Sequence, residues 1–496
     1  MMRLREVSIV GGPSAGLAMF LLLPEHYAIS SIEIVALNVD ARLTLAMTTW
    51  MALWWLTEAV DVVVTALLPI ALFPLFGLNS IKIVSSAYAH PLIFLFFGGF
   101  LISIAIEKWR LHVWMATHVV ARAGDSACRL VGGLMLISAF ASMWLSNTAT
   151  AIMMLPIALS LIADMDKRMA KDSADNFARC VLLGVAYAAS IGGTATLIGS
   201  PPNLFVASFL VERFGIEVDF RQWMVLALPV SVVMLPLSWF VLTRYIAPVS
   251  HLRQRVGSSP TDTVAWSDLQ PGARRVALVF FLSVVAWLSR SWLTGIDFNG
   301  LAPFAGLTDT GIAMLAGIAL FLIPAGAAQD VNRRLLTWSD TSKLPFGTLI
   351  LFGGGLALAA TVSATGADKF LGAQLVSLRD VPLWMTLGTI VATVVFLTEL
   401  TSNTATTTTL APILAAAAVA LDLDPFALVV VTALAASCAF MMPVATPPNA
   451  IVFSSGRISV VAMARAGIFI NLIAILVITA LALYWLPLTA ASGMLS

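Results

Sequence analysis

The sequence predicts an all-α, polytopic membrane protein built from two related halves. Three observations predict it. Of the 496 residues, 60% are hydrophobic and only 11% are charged, well under the roughly 25% charged residues of a soluble domain. Apolar segments of membrane-spanning length follow one another with short connections. A polar triplet, Ser146-Asn147-Thr148, sits inside apolar sequence and recurs as Ser402-Asn403-Thr404. Hydrocarbon offers no hydrogen-bond partners, so polar triplets at such places are costly and call for an explanation.

Taken in order, the N-terminal stretch has Arg3 and Arg5 before an apolar run that ends at Pro24-Glu25. No small-residue cleavage site precedes Pro24, so the run reads as a first membrane helix with its N-terminus cytoplasmic. Further spans are expected at 9–23, 42–56, 61–78, 91–106, 224–247, 275–294, 306–324, 347–362 and 463–487. Trp54-Trp55 suits an interfacial aromatic belt. Segment 109–122, with Arg110, His112, His118 and Arg122, is weakly apolar and reads as lying along the membrane surface. The five histidines fall near segment ends, and the three cysteines, Cys128, Cys180 and Cys438, read as small core residues rather than a disulfide or metal set. A net charge of +1 without a basic cluster argues against nucleic acid as a partner.

Basic residues set the sidedness. Lys167, Arg168, Lys171 and Arg179 crowd one loop, Arg253, Arg255, Arg274 and Arg275 lie in or beside a second, and Arg333, Arg334 and Lys343 mark a third. All three are cytoplasmic under the positive-inside rule. Stretch 130–163 has basic flanks on both sides, so it should enter and leave on the cytoplasmic face as a re-entrant hairpin with Ser146-Asn147-Thr148 at its tip. Stretch 382–421 ends at Asp422 and Asp424 and reads as a second hairpin entering from outside. Hairpins from opposite faces imply inverted repeats with the site at their interface.

The repeat extends beyond the triplets. Gly199-Ser200-Pro201-Pro202-Asn203 follows the first and Ala445-Thr446-Pro447-Pro448-Asn449 the second. Phe97-Gly98-Gly99 and Phe352-Gly353-Gly354 precede them, with 49 and 50 residues from the first glycine to Asn147 and Asn403. Asn147 to Asn203 spans 56 residues and Asn403 to Asn449 spans 46, the difference assigned to the charged loop 164–179. Gly192-Gly193-Thr194-Ala195-Thr196 and Met441-Met442-Pro443-Val444 interrupt apolar helices, which frees backbone carbonyls. At membrane depth such backbone is tolerated only inside protein or beside a watery cavity. Two hairpins and two broken helices are therefore expected. The organisation read from these marks is 1–125 and 274–378 as scaffold, 126–250 and 379–496 as two matching site-bearing halves, and 251–273 as a cytoplasmic linker.

Freed carbonyls, hydroxyls and an Asn oxygen are hard ligands, suited to a hard cation such as Na⁺ rather than a soft metal. The same triplets offer hydroxyl and amide donors, and helix N-termini at the tips favour an anion. A lone triplet of this kind ordinarily glues helices together; duplication with a duplicated Pro-Pro-Asn partner argues for a site. Glu58 and Asp61 read as a proton relay or as helix-end residues, and Glu399 as a group that tunes an ion site or braces a helix end.

These motifs resemble the divalent anion:sodium symporter family of sodium-coupled dicarboxylate and citrate carriers, over about 40–490. Trp54-Trp55-Leu56-Thr57-Glu58-Ala59 and Pro91-Leu92-Ile93-Phe94-Leu95-Phe96-Phe97-Gly98-Gly99 carry the resemblance beside the triplets and Ala445-Thr446-Pro447-Pro448-Asn449. It implies an elevator-type transporter: a homodimer in the inner membrane, with a fixed scaffold and a moving domain in each protomer. It implies one Na⁺ near Ser142, Ser146, Asn147 and the Gly199 carbonyl, and a second near Thr398, Ser402, Asn403 and the Ala445 carbonyl. The dicarboxylate would lie against Ser146, Asn147, Thr148, Ser200, Ser402, Asn403, Thr404, Thr446 and Pro447. Two departures stand out: Thr398 replaces the serine of the first copy, and Asp61 stands where an apolar residue or proline is expected.

Na⁺-coupled symport of a small dicarboxylate is the leading expectation, and sodium-independent anion exchange on the same scaffold is the alternative. A channel is disfavoured because no ring of filter carbonyls is evident. An enzyme is disfavoured because His-Glu-x-x-His, P-loop and Gly-x-Ser-x-Gly motifs are missing from the sequence.

Overall fold

The computed structural model describes residues 2–28, 34–123, 126–249, 265–298, 302–326, 333–374 and 381–491. His251, Arg253, Arg255 and the Gly257-Ser258-Ser259-Pro260 linker lie outside the described residues. Helix α1 (Met2–Leu22) ends just before Pro24, where the backbone N–H needed to continue a helix is missing. A short antiparallel pair follows, β1 (His26–Ala28) with β2 (Ile34–Ala36), a small departure from the all-helical expectation. Tyr, Ile and Val favour extended backbone, and Tyr27 is pinned edge-on against Phe370 at 5.3 Å.

The next helices are α2 (Val39–Thr57), α3 (Val62–Thr65), α4 (Leu68–Leu75), α5 (Ile81–Ala87), α6 (Pro91–Lys108) and α7 (Leu111–Ala123). The expected single span 61–78 is thus two short pieces. Pro69 lacks an N–H and its ring clashes with the carbonyl four residues back, at Thr65, where α3 stops. Among the described residues, seven helical stretches are long and apolar enough to cross a membrane: 81–108, 147–166, 171–193, 220–246, 271–294, 346–365 and 460–489. The expected spans at 9–23 and 306–324 correspond to shorter apolar helices, Val7–Leu22 and Asp309–Leu322.

The two halves repeat element for element. The first has α8 (Ala127–Ser142), α9 (Asn147–Asp166), α10 (Lys171–Gly193), α11 (Pro201–Phe214) and α12 (Phe220–Val241). After α13 (Pro271–Thr294), α14 (Asp309–Leu322), α15 (Phe346–Thr365) and α16 (Ala367–Ala373), the second has α17 (Leu383–Thr398), α18 (Asn403–Ala420), α19 (Pro425–Ala436), α20 (Pro447–Phe453) and α21 (Val460–Ala480). Both α12 and α21 run into a π-helical turn, at Leu242–Ile246 and Leu481–Trp485; α22 (Leu486–Ala491) closes the described chain. The repeat's length difference is not a loop, as expected, but helix. α10 has 23 residues against 12 in α19, and only 167–170 separate α9 from α10. Charged side chains at 171–179 do not prevent a helix, because on its exposed face they reach water. α9 is 20 residues long, about 30 Å, more than a half-bilayer tip-to-surface limb requires, and its last turns carry Asp164 and Asp166.

A main hydrophobic core runs from α6 through α21, and a smaller one, around Leu45, Met51, Trp55, Phe73, Leu351 and Leu358, joins α2, α4 and α15. On α13, Leu278, Phe281, Leu282 and Trp292 are exposed, as expected of a helix facing lipid. Ion pairs gather in two places. At the α11–α12 corner, Glu212 meets His90 at 3.3 Å, Arg213 meets Asp368, and Asp219 meets Arg290 at 2.9 Å, with Arg290 also 3.0 Å from Asp309. At the C-terminal end of α6, Lys108 holds Asp340 at 2.7 Å and Glu107 holds Lys343 at 3.0 Å.

Candidate functional site

Helix α8 ends at Ser142, which is fully buried, and α9 begins at Asn147. Between them Ser146 caps α9 by accepting a hydrogen bond from the Ala149 N–H at 3.2 Å. Ser142 Oγ donates to Asn147 Oδ1 at 2.7 Å. That same position of the Asn147 side chain lies 3.2 Å from the Ala189 carbonyl oxygen and 3.2 Å from the Gly199 carbonyl oxygen. As placed, Asn147 Oδ1 therefore faces oxygens, with the Ser142 proton the one hydrogen between them. Two arrangements relieve such a cluster: the amide turns over so that Nδ2 donates, or a cation sits among the oxygens.

The break that presents Gly199 is held by its own sequence. Asn203 Nδ2 donates to the carbonyls of Gly193 at 2.9 Å and Thr196 at 2.8 Å, replacing the helical N–H groups those carbonyls have lost. Thr196 Oγ1 accepts from the Gly199 N–H at 3.1 Å and donates to the Met143 carbonyl, tying break to tip. A Cβ at Gly193 would stand 2.1 Å from Asn147 Oδ1, so no larger residue allows this approach.

The second half repeats the design. Thr398 Oγ1 lies 2.9 Å from both Asn403 Oδ1 and the Ala436 carbonyl. A hydroxyl has one proton, so one of these is an oxygen–oxygen contact without hydrogen. Asn449 Nδ2 donates to the Ala439 and Met442 carbonyls at 3.2 and 3.0 Å, at the same sequence offsets of ten and seven residues as Asn203. Thr446 caps α20 by accepting from the Asn449 N–H at 3.3 Å. Ser402, unlike Ser146, makes no side-chain cap. The two breaks meet where Ser200 Oγ and Ser437 Oγ stand 3.5 Å apart.

Glu399 is 4% exposed and lies behind the second tip. Its Oε1 accepts from Phe440 N–H at 2.7 Å, Met441 N–H at 2.9 Å and Asn471 Nδ2 at 2.7 Å, and its Oε2 accepts from Met442 N–H at 2.9 Å. It braces the second broken helix. Asp61 accepts from the Val63 N–H at 2.8 Å as the N-cap of α3, a helix-end role. Glu58 ends α2 in the left-handed region, with φ 46°.

Both tips and both breaks open onto one cavity of about 740 Å³. Ser146, Asn147, Thr148, Gly199, Ser200, Ser402, Asn403, Thr404, Ala445, Thr446 and Pro447 all line it, whereas Ser142 and Thr398 are buried behind the asparagines. The N-terminal residues of α9 and α18 line this cavity, and the first turn of a helix carries N–H groups without helical partners; α11 also begins at the cavity, but its first two residues, Pro201 and Pro202, have no N–H to offer. Its remaining wall includes a face of α6, from Phe96 through Phe100 and Ser103 to Glu107, together with Glu58 and Lys343. Lys343 ends a 3₁₀ turn, Trp338–Lys343, capped by Thr337 with Asp340. Burial raises the Asp340 carboxyl, but hydrogen bonds from Lys108 and Thr337 outweigh it and hold it below its usual value. Sequence reasoning assigned no role to the Ala189 and Ala436 carbonyls, the Asn203 and Asn449 side chains, Thr196, Asn471 or the cavity-wall position of Lys343.

Residues 27–491 match the family described as sodium:sulfate symporter transmembrane region. The sodium-dependent dicarboxylate transporter SdcS of Staphylococcus saprophyticus is 38% identical over 450 residues, 89% of this chain and 86% of that protein. SdcS of Staphylococcus aureus is 39% identical over 451 residues, 90% of this chain and 86% of that protein. Among solved structures, the Alcanivorax borkumensis YdaH transporter aligns with a TM-score of 0.58 at 13% identity, covering 98% of each chain. Neisseria gonorrhoeae MtrF, described with a class of antimetabolite efflux pumps, aligns with a TM-score of 0.57 at 14% identity, covering 97% of this chain and 94% of its own. At these identities the two structures speak for the fold alone.

Proposed function

The chain belongs to the sodium:sulfate symporter family, and from that premise we propose that it carries small dicarboxylates across the inner membrane in symport with Na⁺. The observation that carries this reading is the pair of oxygen clusters, Ser142–Asn147–Gly199 with Ala189, and Thr398–Asn403 with Ala436, each behind an asparagine that lines the shared cavity. Two Na⁺ ions fit these clusters: one at Ser142, Ser146, Asn147 and Gly199, the other at Thr398, Ser402, Asn403 and Ala445. The names of the SdcS relatives support Na⁺ and a dicarboxylate as co-substrates.

A dicarboxylate brings two negative charges to a place where charge is expensive. Stretches 130–163, 181–203, 382–421 and 425–455 contain no Lys or Arg. Helix N-termini supply about half a charge each, so bound cations are needed to complete neutralisation. Asn147 and Asn403 would serve both ligands, an oxygen toward Na⁺ and an amide toward a carboxylate, which couples the two binding events. Substrate carboxylates then take their hydrogen bonds from Ser146, Thr148, Ser200, Ser402, Thr404 and Thr446, with Pro447 in contact.

The mechanism proposed is an elevator. Residues 126–250 and 379–496 move as one unit carrying the site, while 1–125 and 274–378 stay fixed in a homodimer. The two helix–break–helix elements are re-entrant hairpins in inverted repeats, and the N-terminus is cytoplasmic. The element-by-element repetition of the two halves, down to the paired π-turns, supports the repeat.

Sodium-independent exchange is the second reading, and one observation favours it: a lysine, Lys343, lines the cavity. Its pairing with Glu107 at 3.0 Å offsets part of that charge. Uptake of labelled succinate into proteoliposomes separates the two. It should rise with the external Na⁺ concentration and need no internal substrate. Uptake unchanged when choline replaces Na⁺, yet increased by internal dicarboxylate, would make the protein an exchanger and remove the ion-site assignments.

A further inference from the structure

The tips account for binding, but not for how a doubly charged anion leaves the cavity. The cavity wall follows one face of α6 from Phe96 to Glu107, eleven residues on. That is about 16 Å, longer than an extended four-carbon dicarboxylate, so the cavity wall runs on beyond the tips. Among the described residues lining it, the ionisable ones are Glu58, Glu107 and Lys343, and Lys343 is the one cation.

Lys343 is mounted for such a task. Its backbone ends a capped 3₁₀ turn that Lys108 anchors to α6 through Asp340 at 2.7 Å. Leu344, the next residue, is buried. Lys108 is therefore engaged, while the Lys343 side chain extends from a fixed base. Among the described residues its ion-pair partner is Glu107, at 3.0 Å, with the Lys343 and Glu107 side chains 53% and 35% exposed. A pair this wet is worth about 1 kcal/mol or less, so an incoming carboxylate can displace Glu107 at small cost. A buried pair would not exchange so readily.

We propose that Lys343 is an exit-lane residue for the transported dicarboxylate, and Glu107 its built-in competitor. A carboxylate leaving the tips takes Lys343 from Glu107; Glu107 then reclaims the ammonium and frees the anion to bulk. Glu107 keeps the lysine from becoming a trap. The contact exists in the access state seen here, in which Glu107 and Lys343 share the wall with the tips. The inference rests on the symport reading above and assigns a sidedness that the reading does not contain.

The test is succinate transport measured separately from each face, in right-side-out and inside-out membrane vesicles at saturating Na⁺. Lys343→Gln should raise the half-saturating succinate concentration about fivefold at the Lys343 face, the upper range for an exposed charge pair. That face is cytoplasmic in the proposed orientation. The opposite face should change by less than about twofold. Lys343→Arg should restore the wild-type value, and Glu107→Gln should lower it at the same face and slow net turnover. Equal changes at both faces would mean that Lys343 acts on the tip site generally, and would overturn the lane. So would wild-type values at both faces in a Lys343→Gln protein that transports. In either case Na⁺-dependent uptake by the wild type would leave the symport reading standing; its absence would remove both.

Discussion

Replacing Glu399 by Gln tests how the proposed second ion site is built. The carboxylate is buried, has no ion-pair partner among the described residues, and receives four N–H donors at 2.7 to 2.9 Å. Three of those donors are consecutive amides, Phe440 to Met442, at the start of the break whose carbonyls Asn449 also holds. In Glu399→Gln one oxygen becomes an NH₂ group of the same size. If it takes the place of Oε2, it faces the Met442 N–H donor to donor. Hydrogen bonds to a charged group contribute about 1.5–3 kcal/mol each, and a buried orphan donor costs about 1–3 kcal/mol. The break should therefore loosen by roughly 3 kcal/mol. If half of that is felt at the Ala436 and Ala445 carbonyls, Na⁺ affinity falls by about tenfold. The assay is succinate uptake against Na⁺ concentration, with thermal stability measured in parallel. The half-saturating Na⁺ concentration should rise about tenfold, while the number of coupled Na⁺ ions and the succinate KM at saturating Na⁺ stay as in the wild type. A changed coupling number would make Glu399 an ion ligand rather than a brace. Unaltered Na⁺ dependence in a protein with lowered thermal stability would refute the link between this brace and the ion site.

The other predictions are simpler. Asn147→Ala and Asn403→Ala should each weaken Na⁺ and succinate binding together, by about tenfold or more, read as thermal-shift titrations with either ligand; loss of one affinity alone would separate the sites. Single cysteines at Asp172 and Asp422, probed with an impermeant thiol reagent on intact cells, should be silent at the first and labelled at the second, and labelling of position 172 from outside would remove the first re-entrant hairpin.

The placement of the tips was legible because polar residues in apolar surroundings stand out, and because duplication turned a common feature into an uncommon one. Of the thirteen site residues expected, eleven line one cavity, and Ser142 and Thr398 lie buried behind the asparagines. Less was legible wherever the partner is backbone far along the chain. Glu399 could be read as ion-tuning or bracing, since its ligands lie 41 to 43 residues away and are amides that any residue supplies. Asn203 and Asn449 were visible as a pattern, but which freed carbonyls they satisfy depends on where the helix stops. The charged run 164–179 reads as a loop because its charge density resembles irregular structure, whereas α9 continues to Asp166 and α10 begins at Lys171. Lys343 was counted only toward sidedness, because nothing local marks a lysine as facing a cavity 236 residues away from Glu107 in sequence.

The distribution of charge along α6 bears on what any motion of the site must do. The helix has 18 residues, about 27 Å, with His90 capping one end and Glu107 and Lys108 at the other. At the His90 end the α11–α12 corner is tied across to α6, α13, α14 and α16 through Glu212, Asp219 and Arg213. At the Glu107 end the cavity wall carries Lys343, and the pairs there join α6 to the turn before α15. If 126–250 moves relative to the scaffold, the Glu212–His90, Arg213–Asp368 and Asp219–Arg290 pairs must break, while Arg290–Asp309 and the pairs beside Lys343 need not. Asp219 and Asp368 have side chains only 10% exposed. Separating such partners without replacement strands nearly buried charge, a penalty of several kcal/mol. Such a motion would therefore have to offer the corner new partners or water, and the corner pairs would then bias the protein toward the conformation in which the cavity includes Lys343.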